Sequence, residues 1–212
     1  MSTSASAPAV APAKSTVRHW GTALLQLATR RRIGVSAALF TTLVVCDVLL
    51  WKTRPCNLFD LTDPGTLPGE LLLLTGLVLR TWAAGTLFKS KQLITGGPYQ
   101  FVRNPLYIGS FLMMFGFAIL LRDWLAIWVV LGPVLAMYLN KVQQEERYLA
   151  FHFPEAWSAY AEQTPRFVPQ WSGRPSLGGF SLRQWAQNRE YQALAASLLG
   201  LVALWCWYQA SA

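Results

Sequence analysis

Five apolar stretches, separated by short polar segments, dominate the chain. A helix needs about 17–25 residues to cross roughly 30 Å of hydrocarbon, and each stretch meets or approaches that length. They run over Ile33–Trp51, Leu67–Phe88, Leu106–Leu121, Trp124–Leu139 and Tyr191–Tyr208. Only Arg122 and Asp123 separate the third stretch from the fourth, which predicts a tight antiparallel hairpin. The pattern therefore predicts an all-α integral membrane protein with five transmembrane helices.

The composition agrees with a chain surrounded by lipid. Only 13% of its 212 residues are charged, whereas a soluble domain is about one quarter charged. The three cysteines form no CxxC pair, and His19 and His152 are far apart, so neither a disulfide framework nor a metal centre is predicted. Residues 1–30 are interpreted as a disordered and juxtamembrane tail, because the first apolar stretch begins only after three arginines.

The distribution of basic residues predicts the orientation in the membrane. If the N-terminus is cytoplasmic, 14 of the 18 Lys and Arg residues lie on that side and 3 on the other, with Arg80 inside a span. Cytoplasmic loops carry the excess of Lys and Arg. We therefore expect a cytoplasmic N-terminus, an external C-terminus and a bacterial inner-membrane location. The same rule explains the net charge of +8 without invoking nucleic acid.

Asp47 and Arg80 are charged residues inside predicted spans. A charge within the hydrocarbon is costly and should face protein or water. One hypothesis is that the two residues pair across the first two helices. The alternative is that Arg80, about two turns from the cytoplasmic end, extends its head to the membrane surface.

The segment Gly96–Gly109 is a polar turn between two apolar stretches. Pro98 and Pro105 restrict the backbone, and Asn104 is placed to cap the helix that starts at Pro105. The free N–H groups of that helix start suit a carboxylate. Arg103 suits a carboxylate or phosphate, and Tyr99 and Tyr107 suit a cation. The alternative is an interfacial turn with a belt of tyrosines.

A second polar constellation follows the fourth stretch. Lys141 and Glu145 share a helix face, and the pattern predicts that the helix continues into the cytoplasm until Pro154 ends it. A short amphipathic helix carrying Trp157 and Tyr160 should follow. The alternative interpretation is a solvated juxtamembrane helix with ordinary salt pairs.

Taken together, three ordered blocks resemble the isoprenylcysteine carboxyl methyltransferase family, and phospholipid N-methyltransferases share much of the pattern. The blocks are Gly97-Pro98-Tyr99 with Arg103-Asn104-Pro105-x-Tyr107-x-Gly109, Glu145-Glu146-x-x-Leu149 with Trp157-x-x-Tyr160, and Pro165-Arg166-Phe167-Val168-Pro169. The resemblance covers about 77–169. It implies a membrane enzyme core over 31–190, with the site in a cytoplasmic helical region, and leaves 191–212 as an additional helix.

The resemblance also implies a cofactor and the residues that contact it. The cofactor would be S-adenosylmethionine, bound by Gly97, Pro98, Tyr99, Arg103, Asn104, Pro105, Tyr107 and Glu146, and the catalytic candidates are Lys141, Glu145 and Arg166. The partner would be a lipophilic small molecule or a prenylated substrate reaching the site from the bilayer, and no metal or nucleic acid is implied. Asn104 stands where the family often has His, which puts a proton-transfer role for that position in doubt.

Two kinds of methyl acceptor fit these residues. The preferred one is the carboxylate of an isoprenylcysteine-like molecule, which is already ionised and needs only a counter-charge from Lys141 or Arg166. The alternative is a phospholipid amine, for which Glu145 would act as the base. A membrane reductase with a nicotinamide cofactor and a non-enzymatic membrane scaffold are the competing functions.

Overall fold

A computed structural model describes residues 31–88, 92–170 and 179–211, and these residues form helices and connecting segments without a strand. The predicted tail over 1–30 lies outside them. The helices are α1 (Arg32–Cys46), α2 (Thr66–Thr86), α3 (Pro105–Leu121), α4 (Trp124–Val129), α5 (Leu135–His152), α6 (Pro154–Gln163), α7 (Leu182–Gln187) and α8 (Tyr191–Ala210). Single π-helical turns extend α1 over Asp47–Trp51 and join α4 to α5 over Val130–Val134.

Four helices of the described chain are long and apolar enough to cross a membrane. They are Gly34–Trp51, Thr66–Thr86, Trp124–His152 and Tyr191–Ala210, whereas the apolar helix Pro105–Leu121 is shorter. The predicted class, a helical membrane protein, is confirmed. The third predicted span coincides with the shorter helix. The fourth continues to His152, as predicted, with a π turn that accommodates Pro133.

Two pairs of glycines bring α2 and α3 into close contact. A Cβ atom at Gly76 would lie 2.6 Å from the carbonyl oxygen of Gly109, and one at Gly116 would lie 2.7 Å from that of Gly69. Seven residues separate the two glycines of each helix, so they share a face, and the pairing runs antiparallel. Small residues allow helix backbones to approach closely inside a membrane. The pair α2 and α3 therefore forms the centre of the fold.

The hypothesis that Asp47 pairs with Arg80 is wrong. Arg80 donates to both oxygens of Glu190, at 2.7 and 3.0 Å, and also to Ser110 on α3. Asp47 lies beside Asp123, towards the ends of α1 and α3 that point away from Arg80. The cause is the antiparallel course of α1 and α2, which places Asp47 near one end of the bundle and Arg80 near the other.

The segment before α8 closes over the C-terminal end of α2. The side-chain amide of Asn188 donates to the carbonyl oxygens of Ala84 and Leu87, both at 2.8 Å. The N–H of Ser181 donates to the carbonyl of Gly85 at 3.0 Å. These bonds satisfy carbonyls that a helix end leaves without partners. Together with Glu190, they fix α8 to α2.

Candidate active site

The polar turn before α3 depends on a glycine. Gly97 has φ +62°, and a Cβ atom there would meet Thr86 at 3.0 Å, so a left-handed backbone and close packing both favour glycine. The turn forms a short 3₁₀ helix over Gly97–Gln100, and Pro105 opens α3. Asn104 occupies the position before α3, but its side chain makes no capping bond. Asn104 is therefore the N-cap residue of α3, as predicted, although the cap involves no side-chain hydrogen bond.

Asn104 instead contributes to a polar network centred on Glu146 of α5. Its amide donates to Glu146 Oε1 at 3.1 Å and to the backbone carbonyl of Arg166 at 3.3 Å. The Arg166 guanidinium binds both carboxylate oxygens of Glu146, with the shortest distance 2.6 Å. Arg103 adds a longer ion pair of 3.7 Å. Glu146 is buried, and two arginines compensate its charge.

Backbone hydrogen bonds attach the segment after α6 to the same turn. The N–H of Arg103 donates to the carbonyl of Pro165 at 2.9 Å, and that of Gln170 donates to the carbonyl of Phe101 at 3.0 Å. The Tyr160 hydroxyl, from α6, donates to the carbonyl of Tyr99 at 2.7 Å. Through these backbone hydrogen bonds, the segment that contains Pro165–Pro169 packs against the turn and holds it in place.

A cavity of about 130 Å³ lies between the turn, the end of α2, and helices α5 and α6. Its wall includes seven of the residues proposed from the sequence: Tyr99, Arg103, Asn104, Pro105, Tyr107, Glu145 and Glu146. Gly97, Pro98, Lys141 and Arg166 do not line it. The sequence analysis assigned no role to Leu87, Trp157 or Tyr160, which also line it, although the last two stand in a motif that was recognised.

Two buried polar atoms in this wall have no hydrogen-bond partner among the described residues: the hydroxyl oxygen of Tyr99 and Nε of Arg103. Burial raises the pKa of Tyr99 above its usual range, so the hydroxyl keeps its proton. The ring of Trp157 lies 5.8 Å from the Arg103 guanidinium. Buried polar groups are nearly always bonded, so the cavity can offer two donors to a ligand with hydrogen-bond acceptors.

Glu145 differs from its neighbour Glu146 in exposure and in its partner. Its side chain is 44% exposed, and Lys141 Nζ lies 3.4 Å from Glu145 Oε1. The pair is the i,i+4 pair expected from the sequence. Because Glu145 also lines the cavity, a partly exposed carboxylate whose described ion-pair partner is Lys141 lies at its edge.

A cavity of this size is smaller than the roughly 300–1,000 Å³ of pockets that enclose a drug-sized ligand. It is therefore large enough for only part of a drug-sized molecule. Its donors and aromatic rings suit the polar part of such a molecule. Together, the fold and the cavity define an integral membrane protein with a candidate small-molecule site at one end of its helices.

Comparison with known proteins identifies the family. The phospholipid methyltransferase family model matches residues 69–156, which run from α2 to the start of α6 and include Asn104 and both glutamates. The cobalt-zinc-cadmium resistance protein CzcN of Cupriavidus metallidurans is 35% identical over 160 residues, covering 71% of this chain and 69% of the relative. The chain belongs to the phospholipid methyltransferase family of membrane methyltransferases.

Two further relatives place this chain within a varied group. The nickel-cobalt-cadmium resistance protein NccN of Alcaligenes xylosoxydans xylosoxydans is 31% identical over 154 residues, covering 68% of this chain and 67% of the relative. The protein-S-isoprenylcysteine O-methyltransferase of Schizosaccharomyces pombe is 27% identical over 81 residues, covering 38% of this chain and 34% of the relative. No solved structure matches the chain.

Proposed function

We propose that this protein is a membrane methyltransferase that uses S-adenosylmethionine and methylates a lipophilic acceptor, preferably the carboxylate of an isoprenylcysteine-like molecule. The observation that carries the proposal is the pair of buried donors without partners, Tyr99 and Arg103, in a cavity built from family motifs. We further propose that this cavity faces the cytoplasm, with the N-terminus on the same side, because 14 of the 18 basic residues fall there.

The residues around the cavity suit the two ends of such a cofactor. Arg103 has a donor available for its carboxylate. The ring of Tyr107, which packs edge-on against Tyr138 at 5.6 Å, offers a surface that attracts a sulfonium. When bound, S-adenosylmethionine would supply an electrophilic methyl group. Glu146 takes no direct part in the reaction, because Arg166 and Asn104 already occupy its oxygens; it holds Arg103 and the turn in position.

The acceptor determines which residue must act on it. A carboxylate is ionised at neutral pH and needs orientation and a counter-charge. Arg166 is held by short bonds to buried Glu146. Lys141 lies outside the cavity wall and has a longer, partly exposed pair with Glu145, so Lys141 is the more easily released counter-charge. An amine must lose a proton first, and Glu145, at the edge of the cavity, is placed to take it. Leucine side chains from the segment after α2, from α3 and from α5 line the same cavity, which favours an acceptor with an apolar body.

Glu145→Gln separates the two acceptors. An enzyme that methylates an amine should lose most of its turnover, because the base is gone. An enzyme that forms an ester should keep its turnover within about tenfold of that of the natural chain, because its acceptor needs no base. The measurement is transfer of a radiolabelled methyl group from S-adenosylmethionine into a panel of prenylcysteine analogues and phospholipid amines.

Calorimetry on the full chain in detergent tests the function itself. We expect S-adenosylmethionine to bind, and Arg103→Leu to abolish binding while the variant stays folded, because Arg166 still pairs with Glu146. Failure to bind at millimolar concentration, with folded protein, would reject the methyltransferase. Binding of a reduced nicotinamide cofactor instead would support a reductase, and binding of neither would support a scaffold.

The two bacterial relatives are named for resistance to divalent metals, which suggests a cellular setting for the reaction. We propose that methyl transfer by this chain also supports growth in the presence of cobalt, zinc or cadmium. Cells carrying Arg103→Leu in place of the natural chain should then grow as poorly on these metals as cells without the protein.

A further inference from the structure

Three buried oxygen atoms at the end of the bundle away from the cavity have no hydrogen-bond partner among the residues that the structure describes. They are Oδ2 of Asp47, Oγ1 of Thr53 and Oδ2 of Asp123. They come from the π turn that ends α1, from the loop after it, and from the residue that precedes α4. Asp47 is 1% exposed and Asp123 is 5% exposed. Buried oxygens of this kind are rare and require an explanation.

The backbone directs these oxygens towards one another. Asp123 and Thr53 are the groups that interact with the Asp47 side chain. Oδ1 of Asp123 accepts the N–H of Ala126 at 3.0 Å and caps α4, which leaves Oδ2 for Asp47. Lys52 has φ 48° and turns the chain back, so that the N–H of Thr53 bonds the carbonyl of Asp47 at 3.1 Å. Three separate segments thus converge on one point.

The charges at this point are not balanced by the described side chains. Arg122, directly before Asp123, is bound to Asp63 and Cys56. The Arg54 guanidinium lies over the ring of Tyr208, 4.4 Å from its centre, and Lys52 is exposed. Two buried carboxylates that face each other repel unless a positive species lies between them.

We propose that Asp47, Thr53 and Asp123 bind a divalent cation of the oxygen-preferring class, such as Mg²⁺, Ca²⁺ or Mn²⁺. All three donors are oxygens, two of them carboxylate oxygens, which is the ligand chemistry of these cations. A single proton shared by the two carboxylates would leave one negative charge buried, whereas a divalent cation would neutralise both carboxylates and contact all three oxygen atoms. Backbone carbonyls and water complete the coordination.

The proposed cation site is separate from the methyl-transfer cavity. The 17 residues of α3 run between the two ends, and at 1.5 Å per residue this is about 25 Å. The cation would link α1 to the start of α4 and thereby stabilise the packing of these helices. Its test therefore needs no methyl acceptor and no S-adenosylmethionine.

The experiment uses the full chain in detergent, stripped with a chelator and then titrated with Mn²⁺ or Ca²⁺. We expect one tightly bound equivalent and a higher unfolding temperature in its presence. Asp47→Asn and Asp123→Asn should weaken binding by tenfold or more, and Asn at 123 still caps α4. Thr53→Val, which removes only the hydroxyl contact, should weaken binding less. Asp60→Asn is the matched control, because Asp60 lies in the same loop, bonded to Thr62, and should bind like the natural chain.

Two results would overturn the proposal. One is folded protein that binds neither cation at millimolar concentration and whose unfolding temperature falls as pH rises. That pH dependence is the one expected if the two carboxylates share a proton instead of a cation. The other is cation binding that survives unchanged in Asp47→Asn and Asp123→Asn, which would place the ion elsewhere.

Discussion

The two ends of the helix bundle differ in the partners of their buried acidic side chains. At the cavity end, each buried glutamate lies against an arginine: Glu146 against Arg166 and Arg103, and Glu190 against Arg80. At the other end, Asp47 lies against Asp123, and both are buried. Charge at the first end is balanced by the chain itself, and at the second it is not.

The difference indicates what each end binds. With its carboxylates compensated, the cavity end is left with donors that have no partner, on Tyr99 and Arg103, so its ligand must accept hydrogen bonds. The opposite end is left with carboxylate oxygens, which call for a positive species. The unsatisfied groups therefore fit the two proposed ligands, which are a cofactor bearing a carboxylate at the cavity end and a cation at the other end.

The largest effect should come from breaking the pair Arg80–Glu190. Glu190→Gln leaves the arginine without its counter-charge inside the membrane, and losing one partner of a buried pair costs about 3–5 kcal/mol. We expect the lower part of that range because Arg80 is 23% exposed. Denaturant unfolding in detergent measures it. Reversing both charges should restore part of the lost stability. As a control, Glu155→Gln on exposed α6 should change the free energy of unfolding little. If the double reversal is no more stable than the single variants, pairing does not hold α8 to α2.

The second largest effect on stability should distinguish the adjacent residues Glu145 and Glu146. Glu146→Gln removes the acceptor of Arg166 and the counter-charge of Arg103, and should cost about 1–3 kcal/mol of stability as well as S-adenosylmethionine affinity. Glu145→Gln, altering an exposed side chain paired only with Lys141, should leave the stability within about 0.5 kcal/mol. Calorimetric binding and thermal unfolding of both variants make the comparison. Equal losses in the two would show that burial and arginine pairing do not distinguish these positions.

The sequence predicts the helices of this fold well because membrane thickness limits the solutions. Hydropathy locates the four long helices to within a few residues, as the start of α8 at Tyr191 illustrates. The seven-residue spacing of Gly69 and Gly76, matched by Gly109 and Gly116, is also visible in the sequence. This spacing predicts the close contact of α2 and α3, although it was not among the features that the prediction of the fold used.

Partners far apart in the chain could not be predicted in the same way. Arg80 and Glu190 are 110 residues apart, and their pairing depends on where α8 packs, which hydropathy does not specify. The hypothesis of an Asp47–Arg80 pair rested on charges inside predicted spans, and Glu190 lies outside them. The site residues were collected by family motif, yet the motif did not show that Arg166 binds Glu146 or that Asn104 leaves α3 without a side-chain cap. Those facts follow from three-dimensional packing.

A smaller effect should follow from the hydrogen bond between α6 and the turn. Tyr160→Phe deprives the carbonyl of Tyr99 of its donor, at a cost of about 1–2 kcal/mol. Burial raises the pKa of Tyr160, so folded protein keeps this proton at pH values where the unfolded chain loses it, above about 10. The free energy of unfolding should therefore fall as pH rises beyond 10, and less steeply in Tyr160→Phe. Equal slopes would show that Tyr160 ionises alike in both states.

The smallest effect concerns Arg122, at the end opposite to the cavity. Its ion pair with Asp63 is half exposed, and exposed pairs contribute about 0–1 kcal/mol. Arg122→Gly and Arg122→Ala both remove the ion pair. Because Arg122 has φ 57°, only the glycine substitution also relieves left-handed backbone strain of about 1 kcal/mol. The protein with Arg122→Gly should therefore be more stable than the protein with Arg122→Ala. Thermal unfolding compares the two variants. Neither should weaken Mn²⁺ binding, since this arginine is directed at Asp63 and Cys56. A large rise in Mn²⁺ affinity in both variants would instead mean that Arg122 already neutralises the Asp47–Asp123 pair, and the contrast between the two ends would disappear.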